Sequence, residues 1–137
     1  MNGTRNITAP ARAAVAVEGD HSALIHDARQ ASRAFAAALT PAPGADATDN
    51  LLLVVSELVT NSLRHGGGRY TLALAADPDC MTVSVSDPSA ELPHERTPDL
   101  GGIGGGFGWH MVNHLADRVT IVANPGSGKT VHARLLR

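Results

Sequence analysis

Apolar residues recur along this chain first at a helical period and then at an alternating one. Leu24, Ile25, Ala28, Phe35 and Leu39 fall on one stripe at helical spacing, and Ser22 is placed to cap its start. Pro41, Pro43 and Gly44 break the chain. A second helix is predicted from near Asp46 to His65. Asp46, Thr48 and Asp49 suit its first turn, and Gly66, Gly67 and Gly68 stop it. Residues 70–76 then alternate as a strand does. Asp77, Pro78 and Asp79 make a turn. Met81, Val83 and Val85 alternate with Thr82, Ser84 and Ser86, the pattern of a half-buried strand. Residues 107–116 read as a third helix. Residues 119–123 and 130–136 read as a hairpin across residues 124–127.

The segments at either side of this pattern are less regular. Residues 1 to about 11 are polar and aperiodic, as a frayed terminus is. Residues 13–17 are short and apolar and fit an edge strand. Residues 88–106 are punctuated by proline and glycine, long for a structureless loop, and such loops are functional or disordered. The domain organisation expected is a flexible N-terminus over residues 1–12 and one domain over residues 13–137. Strands arriving as hairpins predict a mostly antiparallel sheet with helices on one face, an α+β fold.

Composition narrows the function classes. The chain has 137 residues, enough for one domain with its own core. A net charge of −2 without a basic run argues against direct nucleic-acid binding. Aromatic residues at 3% leave little to stack on single-stranded bases. No apolar run is long enough to cross a membrane, and no signal-peptide pattern opens the chain, so a cytoplasmic location is expected. Cys80 is the only cysteine, which excludes an internal disulfide and a cysteine-built zinc site.

The second helix carries the strongest chemical signal. Apolar positions 51, 52, 54, 55, 58, 59 and 63 cover most of its circumference, as in a deeply buried helix. Glu57, Asn61, Arg64 and His65 nevertheless form one narrow polar stripe. A carboxylate facing a core is costly unless it is paired or faces water. A polar pocket lined by the stripe explains both facts, although the stripe taken alone also fits the exposed side of an amphipathic helix. Asn61 offers a neutral oxygen suited to a Mg²⁺ ion that keeps most of its water. Glu57, one turn earlier, is placed to accept a proton from a hydroxyl or water. Arg64 and His65 can meet phosphate oxygens.

Glycine is concentrated in one block, at positions 101, 102, 104, 105, 106 and 108. Without a Cβ, backbone N–H groups approach phosphates closely, and the helix that follows adds partial positive charge. The block suits a polyphosphate, and by itself it also suits a linker. The apolar residues that follow it directly, Trp109, Met111, Val112 and Leu115, favour the first reading. Asp87 closes a strand and can accept a hydrogen bond from an adenine amino group. The following Pro88 also makes it an ordinary turn starter.

Two motifs are set aside. Residues 123–130 nearly spell a phosphate-binding P-loop, but that motif needs a helix after its Lys-Thr, and here residues 131–136 alternate as a strand. His110 and His114 have the spacing of a zinc-binding helix, but Met111 stands where the essential Glu belongs.

In this order the residues resemble a known family. Glu57 with Asn61, Arg64 and His65, then Asp87, then Gly106 and Gly108, then Gly128 to Thr130 are similar to the asparagine box and three glycine boxes of the histidine-kinase-like ATPases, the Bergerat-fold group. The phrases VVSELVTNSLRHGG, VSVSDPS, GGFGWHMVNHLAD and GKTVHARL most resemble the small bacterial anti-sigma-factor serine/threonine kinases, over roughly residues 13–137. The resemblance implies a two-layer α/β sandwich that binds ATP with Mg²⁺. Asn61 would hold the metal and Glu57 would be the catalytic base. Asp87 would read adenine, with Thr130 supporting it through water. Gly104, Gly105, Gly106, Phe107 and Gly108 would hinge a lid over the phosphates. The implied partners are an anti-anti-sigma (STAS-domain) antagonist, phosphorylated on a serine or threonine, and a sigma factor. Homodimerisation is a further expectation from the family. The match departs from the broad pattern where Pro88, Ser89 and Ala90 follow Asp87 without the usual glycine. The lid lacks a lysine too, and Arg96 is its only strong cation. These departures motivate an alternative, an ATP-gated binding module with negligible kinase activity. A third reading, the catalytic domain of a histidine kinase, is disfavoured because no helix pair carrying a phospho-accepting histidine precedes the ATP motifs.

Overall fold

A computed structural model describes residues 7–8, 12–15, 22–65, 68–89, 108–125 and 128–137 of the chain. Strands β1 (Ile7–Thr8) and β2 (Arg12–Val15) lead into helices α1 (Ser22–Ala37) and α2 (Ala45–His65). Strands β3 (Arg69–Ala76) and β4 (Cys80–Asp87), helix α3 (Gly108–Leu115) and strands β5 (Arg118–Ala123) and β6 (Lys129–Leu136) follow.

The six strands make one sheet in the order β1-β3-β4-β6-β5, with β2 also on β3. Every pairing is antiparallel. The three helices form the second layer. α2 lies across β3, β4 and β6, while α1 packs on α2 and β3, and α3 packs on α2. The chain is therefore an α+β two-layer sandwich, as the pattern predicted.

The N-terminal segment differs in one detail. Ile7 and Thr8, within the stretch expected to be frayed, pair with Ala76 and Ala75 at the outer edge of β3. Two residues are too few to display a strand period, and only the edge they join defines them. The edge strand expected over residues 13–17 is present as β2 over Arg12–Val15.

Sequence period explains the layers. All seven apolar positions picked out on α2, from Leu51 to Leu63, are buried. Burying each such side chain stabilises the fold by ~1.5–3 kcal/mol. On β3, β4 and β6 the residues Leu72, Leu74, Met81, Val83, Val85, Val131, Ala133 and Leu135 face the helices and complete the core. Most of their neighbours point to the other face and are half-buried, while Cys80 is buried and Leu136 exposed. There Ser84 Oγ meets His132 Nδ1 at 2.7 Å, and Ser86 Oγ meets Thr130 Oγ1 at 2.8 Å.

Connections are tied by backbone groups. In the β3–β4 turn, Asp77 Oδ1 accepts from the N–H groups of Asp79 and Cys80, both at 2.8 Å. These two bonds hold the Asp77 carboxyl below its usual range. Arg137 donates to the Asp77 carbonyl at 2.7 Å and to the Pro41 carbonyl at 2.6 Å, joining that turn to the α1–α2 loop. Among the described residues no helix is long and apolar enough to cross a membrane.

Candidate nucleotide site

The C-terminal half of α2 carries its polar stripe along the edge of the helix layer. Glu57 and Asn61 are half-buried, and Arg64 and His65 are exposed at the helix end. The apolar remainder of α2 holds the stripe in place, because rotating the helix would lift buried Leu58, Val59 and Leu63 out of the core.

Glu57 faces the start of α3. A Cβ added to Gly108 would overlap the Glu57 carboxylate oxygen Oε2. A side chain there would push the carboxylate out of its place between the two helices. Burial raises the Glu57 pKa above its ordinary value, and the positive charge of Arg64, two turns along α2, partly opposes this. Neither Glu57 nor Asn61 makes a side-chain hydrogen bond to another described residue, and neither has a buried polar atom left unsatisfied. Both are half-exposed polar groups open to a ligand.

Asp87 lies on the helix-facing side of β4, at its C-terminal end. Ser62, the residue after Asn61, donates through Oγ to Asp87 Oδ2 at 3.1 Å. The Ser89 N–H donates to Oδ1 at 3.0 Å. Lys129 donates through Nζ to Oδ1 at 2.9 Å and to Oδ2 at 3.0 Å, and to the Ser89 carbonyl at 3.3 Å. The Lys129 and Asp87 side chains are only 6% and 5% exposed. The two residues are directly opposed in the β4–β6 ladder.

Gly128 makes that opposition possible. Its φ is 86°, and a Cβ there would overlap the Asp87 carbonyl oxygen. The left-handed backbone and the close approach both demand glycine. β6 therefore begins hard against the end of β4, and its first side chain meets the carboxylate.

The structure thus brings Glu57, Asn61 and Gly108 to one edge of α2 and ties Asp87 to the same helix through Ser62. Thr130 does not join them. It sits on the opposite face of β6, bonded to Ser86 Oγ and to Asn124 Oδ1, the latter at 3.0 Å. Alternation along a strand explains this: if Lys129 points to the helices, Thr130 points away. The residues of this end that the motif reading missed are Ser62 and Lys129. The lysine falls in the near P-loop and in the last glycine box without a role of its own, and strand alternation is the signal that could place it. Gly104, Gly105, Gly106, Phe107 and Arg96 lie outside the described residues. His110 and His114 are exposed on α3. No cluster of three His, Cys, Asp or Glu side chains is gathered among the described residues. A cation here would take Asn61 and otherwise water and phosphate oxygens, the habit of Mg²⁺.

No curated protein matches the chain in sequence. A family model does match, that of the histidine kinase-like ATPase domain, over residues 21–135. The match takes in all three helices, β3 to β5 and nearly all of β6, together with every side chain of the site just described. On that extent of agreement, and with ATP as the ligand the family implies, the chain belongs to the histidine kinase-like ATPase domain family.

Proposed function

We propose that this domain is an ATP-dependent protein serine/threonine kinase acting in a partner-switching system, and that the same protein sequesters a sigma factor. Its substrate would be a serine or threonine on an anti-anti-sigma antagonist of the STAS class. The observation that carries the reading is the close approach of the Glu57 carboxylate to Gly108, one helical turn from Asn61, whose side chain bonds to no other described residue. A carboxylate, an amide and the start of a helix with its N–H groups stand along one edge of α2. The wording of the four motifs supports the choice of subgroup. A cytoplasmic site of action and a homodimer belong to the same proposal.

Asn61 Oδ1 would hold Mg²⁺, which when bound neutralises charge on the phosphates. The partner's hydroxyl oxygen attacks the γ-phosphorus, the bond to the β–γ bridging oxygen breaks, and ADP leaves. Glu57 takes the hydroxyl proton. Burial makes its carboxylate a stronger base than one in water, because the raised pKa favours proton uptake. Arg64 lies close enough to Glu57 to temper that shift.

A second reading, an ATP-gated binding module with negligible transfer, is favoured by the fully engaged state of Asp87. Calorimetric titration of ATP with and without Mg²⁺ into the wild type and Asn61→Ala tests the site. Mg²⁺-dependent binding that is lost in the variant is expected. Equal binding by both proteins would remove Asn61 from the site. Transfer from γ-labelled ATP to STAS-domain antagonists then separates the readings. Labelled phosphoserine or phosphothreonine supports the kinase, and no label on any antagonist leaves the binding module.

A further inference from the structure

Asp87 is the carboxylate that the nucleotide reading assigns to the base, and its acceptor capacity is already in use. A carboxylate offers about four lone-pair directions. Here four donor contacts reach it: two from Lys129, one from Ser62 and one from the Ser89 N–H. Lys129 has three N–H donors, and all three are engaged, two on Asp87 and one on the Ser89 carbonyl. The pair is closed on itself and almost wholly buried.

Of the four contacts, those from Ser62 and Ser89 come from donors held close to the main chain. Ser62 is buried on α2, and the Ser89 donor is main chain. Lys129 is different, because its ammonium ends a four-carbon stem at the margin of the sheet. It is also an amine on a carboxylate, the chemistry that an exocyclic base amine would bring.

We propose that Lys129 is a specificity-determining residue that occupies the base-recognition carboxylate from within, so that a nucleobase amine gains Asp87 only by displacing the lysine ammonium. The inference rests on the nucleotide-site reading above. Where that reading makes Asp87 the group that selects adenine, this one makes the wild-type site poorly selective for the 6-amino group. The neutral base amine competes against a charged donor in a bidentate contact, and charge-assisted bonds are about twice as strong as neutral ones.

The test is a comparison of ATP with purine riboside triphosphate, which lacks only the 6-amino group, by calorimetric titration with Mg²⁺. In the wild type the two should bind within about threefold of one another, because the lysine keeps its place under both. In Lys129→Met the stem is kept and the charge removed. There ATP should tighten at least tenfold over the wild type while purine riboside triphosphate stays within threefold. Lys129→Arg, which keeps a cation on Asp87, should behave as the wild type. A tenfold or greater preference for ATP in the wild type overturns the proposal, and this measurement stands even if Lys129→Met does not fold. Equal changes for the two nucleotides in Lys129→Met, or weakened ATP binding, also overturn it. Failure of the nucleotide-site reading looks different: neither nucleotide binds any of the proteins, and the proposal falls with it.

Discussion

Gly68 and Gly128 form a matched pair of positions at which the same substitution should have different costs. Both glycines have positive φ, 81° and 86°. A Cβ on Gly68 would meet nothing within 4 Å. A Cβ on Gly128 would overlap the Asp87 carbonyl oxygen and lie 3.1 Å from the Pro88 Cα. Left-handed backbone costs an L-residue ~1–2 kcal/mol, and Gly68→Ala should show that cost alone. Gly128→Ala adds a collision with atoms that cannot rotate away, since β4 is laddered to both β3 and β6. Overpacking of this kind costs ~1–3 kcal/mol. Gly128→Ala should therefore cost about 2–5 kcal/mol in total, a large share of the roughly 5–15 kcal/mol that holds a domain of this kind together. Equilibrium unfolding in urea reads both variants against the wild type. The expected order of midpoints is wild type, then Gly68→Ala, then Gly128→Ala, with unchanged slopes. A Gly128→Ala variant already unfolded without urea keeps that order. Coincident midpoints for the two variants would refute the collision, and a Gly68→Ala midpoint equal to the wild type would refute the backbone argument.

Three further predictions follow from the site. Burial holds the Glu57 pKa above its ordinary value, so the stability this group contributes is present below that value and is lost as pH rises through the raised one. Glu57→Gln should therefore melt above the wild type at neutral pH, with the advantage shrinking toward pH ~4 and phosphoryl transfer abolished; an advantage independent of pH contradicts the burial argument. Removing one partner of the buried Lys129–Asp87 pair by Asp87→Asn or Lys129→Met should cost ~3–5 kcal/mol, and the double variant should cost clearly less than the sum. Additive costs in urea unfolding would mean that the two side chains do not act as a pair. Gly108→Ala should unfold close to the wild type, because the Glu57 carboxylate that its Cβ meets is the free end of a side chain. Its transfer rate should nevertheless drop on the order of 100-fold, the effect of misplacing a reacting group by ~1 Å. Full transfer activity in that variant would remove Glu57 from the reaction.

Much of the fold was legible because its elements are locally consistent. The seven apolar positions of α2 are buried because a helix apolar over most of its circumference must be covered, here by α1, α3 and the sheet. The hairpin strands followed from period-2 alternation and from turns whose bonds the side chains make themselves, as Asp77 does. β1 was illegible for the opposite reason, since two residues carry no period and owe their state to a distant edge. Glu57 and Asn61 were legible as a polar stripe on an otherwise apolar helix. The contact between Glu57 and Gly108 was not, because it depends on how closely α3 crosses α2.

The β6 strand shows how one residue of phase decides a site. A glycine, a lysine and a threonine stand in a row at residues 128–130, and the resemblance implies that the threonine supports Asp87 through water. The pleat allows only one of two consecutive side chains to face the helices. Val131, Ala133 and Leu135 must face them, because they complete the core. That requirement commits Lys129 to the same side and Thr130 to the other. A buried ammonium is tolerable only against a carboxylate with its remaining protons satisfied. Asp87, directly opposite in the ladder, and the Ser89 carbonyl meet both conditions. The core of β6 thus sets the chemistry at its first residue, and the end of β4 at Asp87 carries a buried cation for that reason.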